Sequence, residues 1–154
     1  MLFAVREKKM RAVIQRVKRA VLCVDGKTVS EIPFGLVVFL GVGRGDTREQ
    51  ADKTVARIAA LRVFSDGDGK MNLSVRDVGG QVLFVSQFTL YGDVSHGNRP
   101  SFTQAEEPSR AKELYDYAAE QLKKQGVTVK KGVFGADMQI EQHNDGPVTI
   151  LTEY

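Results

Sequence analysis

The backbone near the end of the chain, at Asp145-Gly146-Pro147, has the clearest potential for chemistry. Asp and Gly favour tight turns, whereas proline fixes φ and removes a hydrogen-bond donor, so this stretch bends and leaves carbonyl oxygens without local partners. A cis bond before Pro147 would point successive carbonyls in nearly the same direction, and these carbonyls could then line a pocket. The simpler interpretation is a plain turn that leads into a last strand over residues 148–152.

Polar side chains at Ser86, Gln87 and Thr89 form a second candidate group, because they follow an apolar run that begins near residue 81. Hydroxyl and amide groups at the end of a buried strand commonly line a binding site. A nucleophilic Thr89 would require an adjacent base to activate its hydroxyl.

The chain offers few side chains for such a base or for a metal site. Neither of its two histidines, His96 and His143, stands at the spacing of a recognisable catalytic triad. The single cysteine, Cys23, excludes an internal disulfide and a cysteine-based zinc cluster, and its apolar neighbours indicate a small buried side chain. A metal held with the help of carboxylates stays open, but we predict neither a metal nor a cofactor.

The composition is typical of one ordinary domain. With 154 residues, 42% of them hydrophobic and 27% charged, the chain is long enough for one buried core and short for two. Its longest apolar run, residues 36–42, is much shorter than a membrane span, and no secretion signal follows the first charges. These features predict a cytoplasmic protein that does not use a membrane. The net charge of +3 permits contact with a polyanion without requiring it.

Strand signals recur along the chain. Asp25-Gly26 is a strong hairpin signal between residues 19–24 and residues 27–32. The continuous apolar run over residues 36–40 is typical of a central strand that is covered on both faces. Further strands are predicted at residues 11–17, 81–87, 127–133, 138–141 and 148–152.

Two helices are predicted to cover the strands. The first begins after an N-cap at Asp46, with Glu49 three residues later in a capping-box-like pattern. The second begins at Pro108 and ends near Gln125, where Gly126 can cap it. Their buried faces are predicted at Ala51, Val55, Ile58 and Ala59 in the first helix and at Ala111, Leu114, Tyr115, Ala118 and Leu122 in the second.

The predicted elements form an α+β fold. We expect a single strand-rich domain, either barrel-like or with a two-layer antiparallel or mixed sheet, and two covering helices. The domain is predicted to span residues 10–154, and residues 1–9 are predicted to be a disordered leader or the product of an upstream start. The polar loop over residues 92–108 is long enough to suggest a function, whereas residues 66–69 predict a plain turn, since they lack the later ligands of a calcium loop.

Three segments together resemble one family, the D-aminoacyl-tRNA deacylases, also described as the D-tyrosyl-tRNA deacylase family. They are residues 10–17 (MRAVIQRV), 86–90 (SQFTL) and 144–149 (NDGPVT). The likeness continues through residues 69–72, 97–102 and 134–138, so that it spans residues 10–154 in the expected order. Two departures are the leader, which lies outside the family pattern, and His96, which stands where the family has lysine.

The resemblance implies a homodimeric hydrolase that cuts the ester between a D-amino acid and the terminal adenosine of tRNA. Glycine is implied as a secondary substrate. By the same resemblance, Gly146-Pro147 is a cis pair that enters the partner subunit's pocket, where its carbonyls hold the D-substrate and exclude an L side chain. Arg16 is implied to brace that motif. The substrate, including its adenosine, is implied to lie against Ser86, Gln87, Phe134 and Met138.

The chemistry agrees with what the residues offer. An aminoacyl ester is already activated, so the enzyme needs positioning and oxyanion stabilisation more than a strong nucleophile. The catalytic groups are then predicted to be backbone donors at Phe88 and Thr89, and the 2′-hydroxyl of the substrate could help to activate water. The second mechanism uses Thr89 as the nucleophile.

Two other classes of function are open at this point. The chain could be a tRNA-binding module without catalysis that receives the acceptor end on basic and aromatic side chains. It could also be a purely structural β-rich dimer, but this would leave the polar end of the strand near Ser86 and the loop over residues 92–108 without a role.

Overall fold

A long hairpin begins the fold in the computed structural model, which describes residues 9–154. Strands β1 (Arg11–Val24) and β2 (Lys27–Ile32) pair antiparallel around Asp25 and Gly26, whose φ angles are 50° and 76°. Positive φ at both residues is what an Asp-Gly hairpin turn requires, and the predicted hairpin is confirmed. The two strands predicted over residues 11–24 are one continuous strand, because no glycine or proline interrupts them.

Strand β3 (Gly35–Gly41) lies in the middle of a mixed sheet. It pairs antiparallel with β1 and parallel with β6 (Gln81–Ser86), and β6 pairs parallel with β7 (Thr128–Lys131). Its residues are buried except for Phe39, which is half-buried, so the prediction of a central strand is confirmed. A separate small hairpin, β4 (Phe64–Ser65) and β5 (Met71–Leu73), completes this part of the fold.

The turn between β4 and β5 is organised by the Asp66 carboxylate. It accepts hydrogen bonds from the backbone N–H groups of Asp68, at 2.9 Å, and Lys70, at 3.1 Å. These backbone donors, Lys70 first, hold the pKa of Asp66 below its usual range. The residues predicted to form a plain turn do so.

Helix α1 (Arg48–Ala60) begins one residue later than predicted. Its N-cap is Thr47, whose backbone N–H donates to the Gln50 side chain at 2.7 Å, so the capping box uses Gln50 instead of Glu49. The prediction of Asp46 as N-cap is wrong because its carboxylate is buried and accepts from the Gly43 backbone N–H at 2.6 Å. The predicted buried face of α1 is confirmed.

Helix α2 (Pro108–Lys124) matches its prediction closely. Glu107 caps its start by accepting from the Arg110 and Ser109 backbone N–H groups, at 2.7 and 3.3 Å, and Gly126 ends it with a φ of 86°. The hydroxyl of the buried Tyr115 donates to the Phe84 carbonyl of β6 at 2.6 Å, which fixes the helix against the sheet. The predicted apolar stripe is buried.

The core lies on both faces of the sheet. One cluster fills the space between the sheet and the two helices, and a smaller one lies on the opposite face around Leu22, Val37, Leu83 and Val85. Over the described residues 9–154, no helix is long and apolar enough to cross a membrane.

Strand β8 (Gln139–Glu153) corrects the prediction for the end of the chain. Two short strands with a turn between them were expected, whereas a single strand pairs antiparallel with β1 along its length. The pairing is irregular near residues 145–148: Gln15 faces Thr149 and Val17 faces Asn144, so two steps along β1 match five along β8. The Gly146–Pro147 peptide bond in this irregularity is cis. The predicted leader lies outside the described residues except for Lys9.

The entry of β3 gives a first prediction, because Gly35 has a φ of 157° and a Cβ there would lie 1.8 Å from the Gln81 carbonyl oxygen. We expect Gly35→Ala to lower the free energy of unfolding by about 3 kcal/mol, since backbone would have to move. Urea unfolding measures this as a shift in midpoint. The control is Gly67→Ala, where a Cβ meets nothing within 4 Å. Equal midpoints for the two variants would contradict the prediction.

Candidate active site

A short 3₁₀ turn, Phe88–Tyr91, follows β6 and carries the two predicted catalytic residues. It is held to the sheet by backbone and side-chain bonds. The Gln87 N–H donates to the Leu40 carbonyl of β3 at 2.8 Å, and the Arg11 guanidinium of β1 donates to the Leu90 carbonyl, also at 2.8 Å. The backbone of Phe88 and Thr89 is therefore fixed between two strands.

Tyr91 completes this attachment. Its hydroxyl donates to the Gly41 carbonyl at 3.0 Å and contacts the Lys9 carbonyl, while the Arg11 guanidinium lies 4.8 Å from the centre of its ring. Burial raises the pKa of Tyr91, so the hydroxyl keeps its proton at neutral pH and acts as a donor. Sequence reasoning missed Arg11 and Tyr91 as supporting residues, because nothing in a single sequence connects positions 80 apart.

A cavity of about 630 Å³ opens beyond the ends of β3 and β6. This volume suits a small-molecule ligand. Five of the predicted site residues line it, and they come from segments about fifty residues apart in the chain: Ser86, Gln87, Phe88, Phe134 and Met138. The other four predicted residues, Thr89, Arg16, Gly146 and Pro147, do not line the cavity of the same chain.

One wall of the cavity is fixed by Glu106. Its carboxylate accepts from the Gly45 N–H at 2.8 Å, and its own N–H donates to the Val42 carbonyl at 3.0 Å. The Arg110 guanidinium lies 3.8 Å from the same carboxylate. These bonds attach the segment before α2 to the loop after β3, so the cavity has a rigid wall with an acidic side chain in it.

Thr89 is exposed, and its hydroxyl oxygen accepts a hydrogen bond from the Gln87 side-chain amide. An amide is not a base. Among the hydrogen bonds seen within residues 9–154, none joins Thr89 to a histidine, a lysine or a carboxylate. The geometry therefore favours Thr89 as a backbone donor over Thr89 as a nucleophile.

Arg16 lies against the other candidate group. Its Nε donates to the Asp145 carbonyl at 3.1 Å and lies 3.4 Å from the Asp145 carboxylate, and its Nη1 donates to the Val63 carbonyl at 2.7 Å. The side chain is only 13% exposed. The backbone just before Gly146 is thus connected through Arg16 to the segment between α1 and β4.

Gly146 and Pro147 themselves are exposed. Gly146 has a φ of 123°, and a Cβ there would lie 3.0 Å from the Val148 side chain and 3.2 Å from the Arg16 guanidinium. A glycine is therefore required at this position, because it combines an unusual φ with close neighbours.

Removal of the Arg11 contacts should loosen the 3₁₀ turn. We expect Arg11→Met to lower the free energy of unfolding by about 1–3 kcal/mol, since it leaves the Leu90 carbonyl without its donor. Hydrogen exchange should also become faster at the Gly92 amide, which donates to the Thr89 carbonyl at 2.9 Å. The matched control is Arg19→Met on the same strand, whose exposed pair with Glu31 should be worth under about 1 kcal/mol. Unchanged exchange at Gly92 would contradict the supporting role.

Comparison with known proteins identifies the family. The family model for D-Tyr-tRNA(Tyr) deacylase matches residues 13–153. A D-aminoacyl-tRNA deacylase of Thermotoga petrophila is 52% identical over 144 residues, which cover 94% of this chain and 97% of that protein. A D-aminoacyl-tRNA deacylase of Koribacter versatilis is 54% identical over 144 residues, with the same coverage of both chains.

Two solved structures resemble the fold. The "c-Myc DNA Unwinding Element Binding Protein" has a TM-score of 0.88 and 42% identity, over 94% of this chain and 98% of its own. A probable eukaryotic D-amino acid tRNA deacylase has a TM-score of 0.82 over 95% of this chain and all of its own, and its 19% identity supports the fold alone. The predicted resemblance, the α+β fold and the hydrolase class are confirmed, and the chain belongs to the D-Tyr-tRNA(Tyr) deacylase family.

Proposed function

We propose that the protein hydrolyses the ester between a D-amino acid and the terminal adenosine of tRNA and spares the L-ester. The observation that carries this proposal is the cavity. Two of the segments that resemble the family, residues 86–88 and residues 134–138, line this cavity together. In this proposal the adenosine lies against Phe134 and Met138, and Ser86 and Gln87 contact the substrate beside the ester. Water attacks the carbonyl carbon of the ester, the bond to the adenosine oxygen breaks, and the free amino acid and the tRNA are released. The reaction takes place in the cytoplasm, where translation uses aminoacyl-tRNA.

The proposed catalytic groups are backbone N–H donors at Phe88 and Thr89. The first N–H groups of a helical turn have no partner within the turn, so they are free to face the oxyanion that forms when water attacks the ester. The contacts of Arg11 and Gln87 with this segment support its preorganisation. The neighbouring 2′-hydroxyl of the substrate activates the water, so no side-chain base is needed.

Selection between D and L forms is assigned to Gly146 and Pro147 of a second copy of the chain. One row of paired residues crosses four strands of the sheet: Leu151, Val13, Phe39 and Val85. The row begins at Leu151, which is 74% exposed, and ends at Val85, which lines the cavity. A second copy on this face of the sheet would lie beside the cavity and bury the exposed leucine.

In the homodimer, the carbonyls of this motif receive the amino group and the Cα hydrogen of a D-amino acid. An L side chain would point into the motif and is excluded sterically. Arg16 braces the motif through Asp145. Glycine has no side chain to exclude, so its tRNA ester is a secondary substrate.

Release of amino acid from matched D- and L-tyrosyl-tRNA, at fixed salt, tests the proposal and the motif together. We expect the D-ester to be cleaved and the L-ester to be spared. Gly146→Ala should lower the ratio of D to L rates about tenfold or more, because the added Cβ displaces the motif.

Gly67→Ala is the control, because it makes the same substitution at a position where an added Cβ meets nothing within 4 Å. Equal cleavage of both esters by the wild-type protein would refute the chiral selection. A wild-type ratio of D to L rates in a folded Gly146→Ala variant would show that the motif takes no part in the chiral selection. Binding of tRNA by a folded dimer without any release of amino acid would favour the non-catalytic module instead.

Thr89→Ala separates the two mechanisms. We expect kcat/KM for D-tyrosyl-tRNA to fall less than about tenfold, because the backbone donor and the substrate hydroxyl are both retained. Loss of a nucleophile lowers the rate by roughly a thousandfold or more. Thr103→Ala, which changes an exposed threonine in the following loop, is the matched control. Loss of all turnover in a folded Thr89→Ala variant would reverse the order of the two mechanisms.

A further inference from the structure

Phe88 is 55% exposed although its side chain is large and apolar, and it lines the cavity. It therefore lies at the rim. The ring of Phe102, which lines the same cavity, lies 5.1 Å away at an angle of 71°, so the two form an edge-to-face pair. An aromatic pair at the rim of a cavity with one ring exposed and the other half-buried requires an explanation, because burial of such rings is favourable.

Both rings stand on fixed backbone. Phe88 belongs to the 3₁₀ turn that Arg11 holds through the Leu90 carbonyl. Phe102 follows Ser101, which exchanges two backbone hydrogen bonds with Asp93, at 2.8 and 2.9 Å. The Phe102 ring lies beside Gly92, where an added Cβ would be 3.3 Å from it. The pair is a preformed surface.

We infer that the Phe88–Phe102 pair stacks the base that precedes the terminal adenosine in the single-stranded 3′ end of the substrate. This inference rests on the proposed function. If the adenosine lies inside the cavity against Phe134, the preceding nucleotide must cross the rim of the cavity, and the two rings offer an aromatic surface to it there. Single-stranded bases stack on aromatic side chains, and the stacking tolerates any base.

One positive charge of the same loop agrees with this ligand, whereas the charged side chains that line the cavity itself, Glu106, Glu107 and Asp137, are acidic. Arg99 is exposed and belongs to the same loop, three residues before Phe102. No hydrogen bond or ion pair of its side chain is seen within residues 9–154, so the guanidinium is available to a phosphate of the strand. A nucleotide offers both a ring and a phosphate, and this favours it over a purely apolar occupant.

Two small substrates test the inference: 3′-O-D-tyrosyl adenosine and the same ester on cytidylyl-adenosine, which adds one nucleotide. We expect the added nucleotide to raise kcat/KM of the wild-type protein about tenfold, since it gains a stacking partner. Phe102→Leu should abolish most of this gain, and Phe102→Tyr should keep it. Val94→Ala, at an exposed apolar side chain of the same loop that does not line the cavity, should leave the gain unchanged.

Three outcomes would overturn the inference. The wild-type protein could cleave both substrates equally well, which would mean that no base is bound at the rim. Phe102→Leu could lower kcat/KM for both substrates by the same factor, which would make the ring only a wall of the cavity. Phe102→Leu could convert a dimer into a monomer, which would make the partner copy the occupant. Failure of the wild-type protein to cleave either ester or D-tyrosyl-tRNA would instead refute the proposed function.

Discussion

The pairing of β1 on both of its edges fixes the position of both halves of the candidate site. Along β1, Arg11 contacts the 3₁₀ turn at the cavity, and Arg16 contacts the backbone before Gly146. Their spacing of five residues places them on opposite faces of the strand. A shift of the register by one residue would exchange the faces and break both contacts, so the regular pairing of β1 with β3 over residues 11–17 is a requirement of the site.

The two arginines act mainly through hydrogen bonds to the backbone and less through their ion pairs. Arg11 and Arg16 each donate to main-chain carbonyls, and their carboxylate partners, Glu153 and Asp145, are partly exposed. Partly exposed ion pairs contribute little to stability, whereas a bond to a backbone carbonyl fixes the direction of the chain. This arrangement suits a site whose proposed contacts are themselves backbone groups, because such contacts cannot be adjusted by a change of rotamer.

Local signals in the sequence predicted most of the fold. The Asp25-Gly26 hairpin and α2 depend on residues close in the chain, and both were placed correctly. The errors arose where contacts outside the local segment determine the structure. Asp46 does not cap α1 because the carboxylate bonds to the loop at Gly43, and β8 is continuous because β1 pairs with it on both sides of Gly146.

The candidate site was predictable to a similar degree. Residues 86–90 and 134–138 were marked by type and by resemblance, and the structure brings Ser86 and Phe134 to one cavity. The supporting contacts of Arg11 and Tyr91 carry no local signal, since a strand arginine and a loop tyrosine are common anywhere. The relation of Gly146 to the cavity cannot be predicted from one chain either, because within the chain the two lie apart.

The proposed main-chain filter has a consequence for specificity. A D side chain would point away from the carbonyls of Gly146 and Pro147, so the filter reads the configuration at Cα and not the side chain, and many D-amino acids should be accepted. The same geometry cannot reject glycine, because steric exclusion needs a group to exclude. Absence of a single methyl group changes binding by only about 10–200-fold in a pocket. Any stronger discrimination against glycine must therefore come from contacts outside this proposed filter.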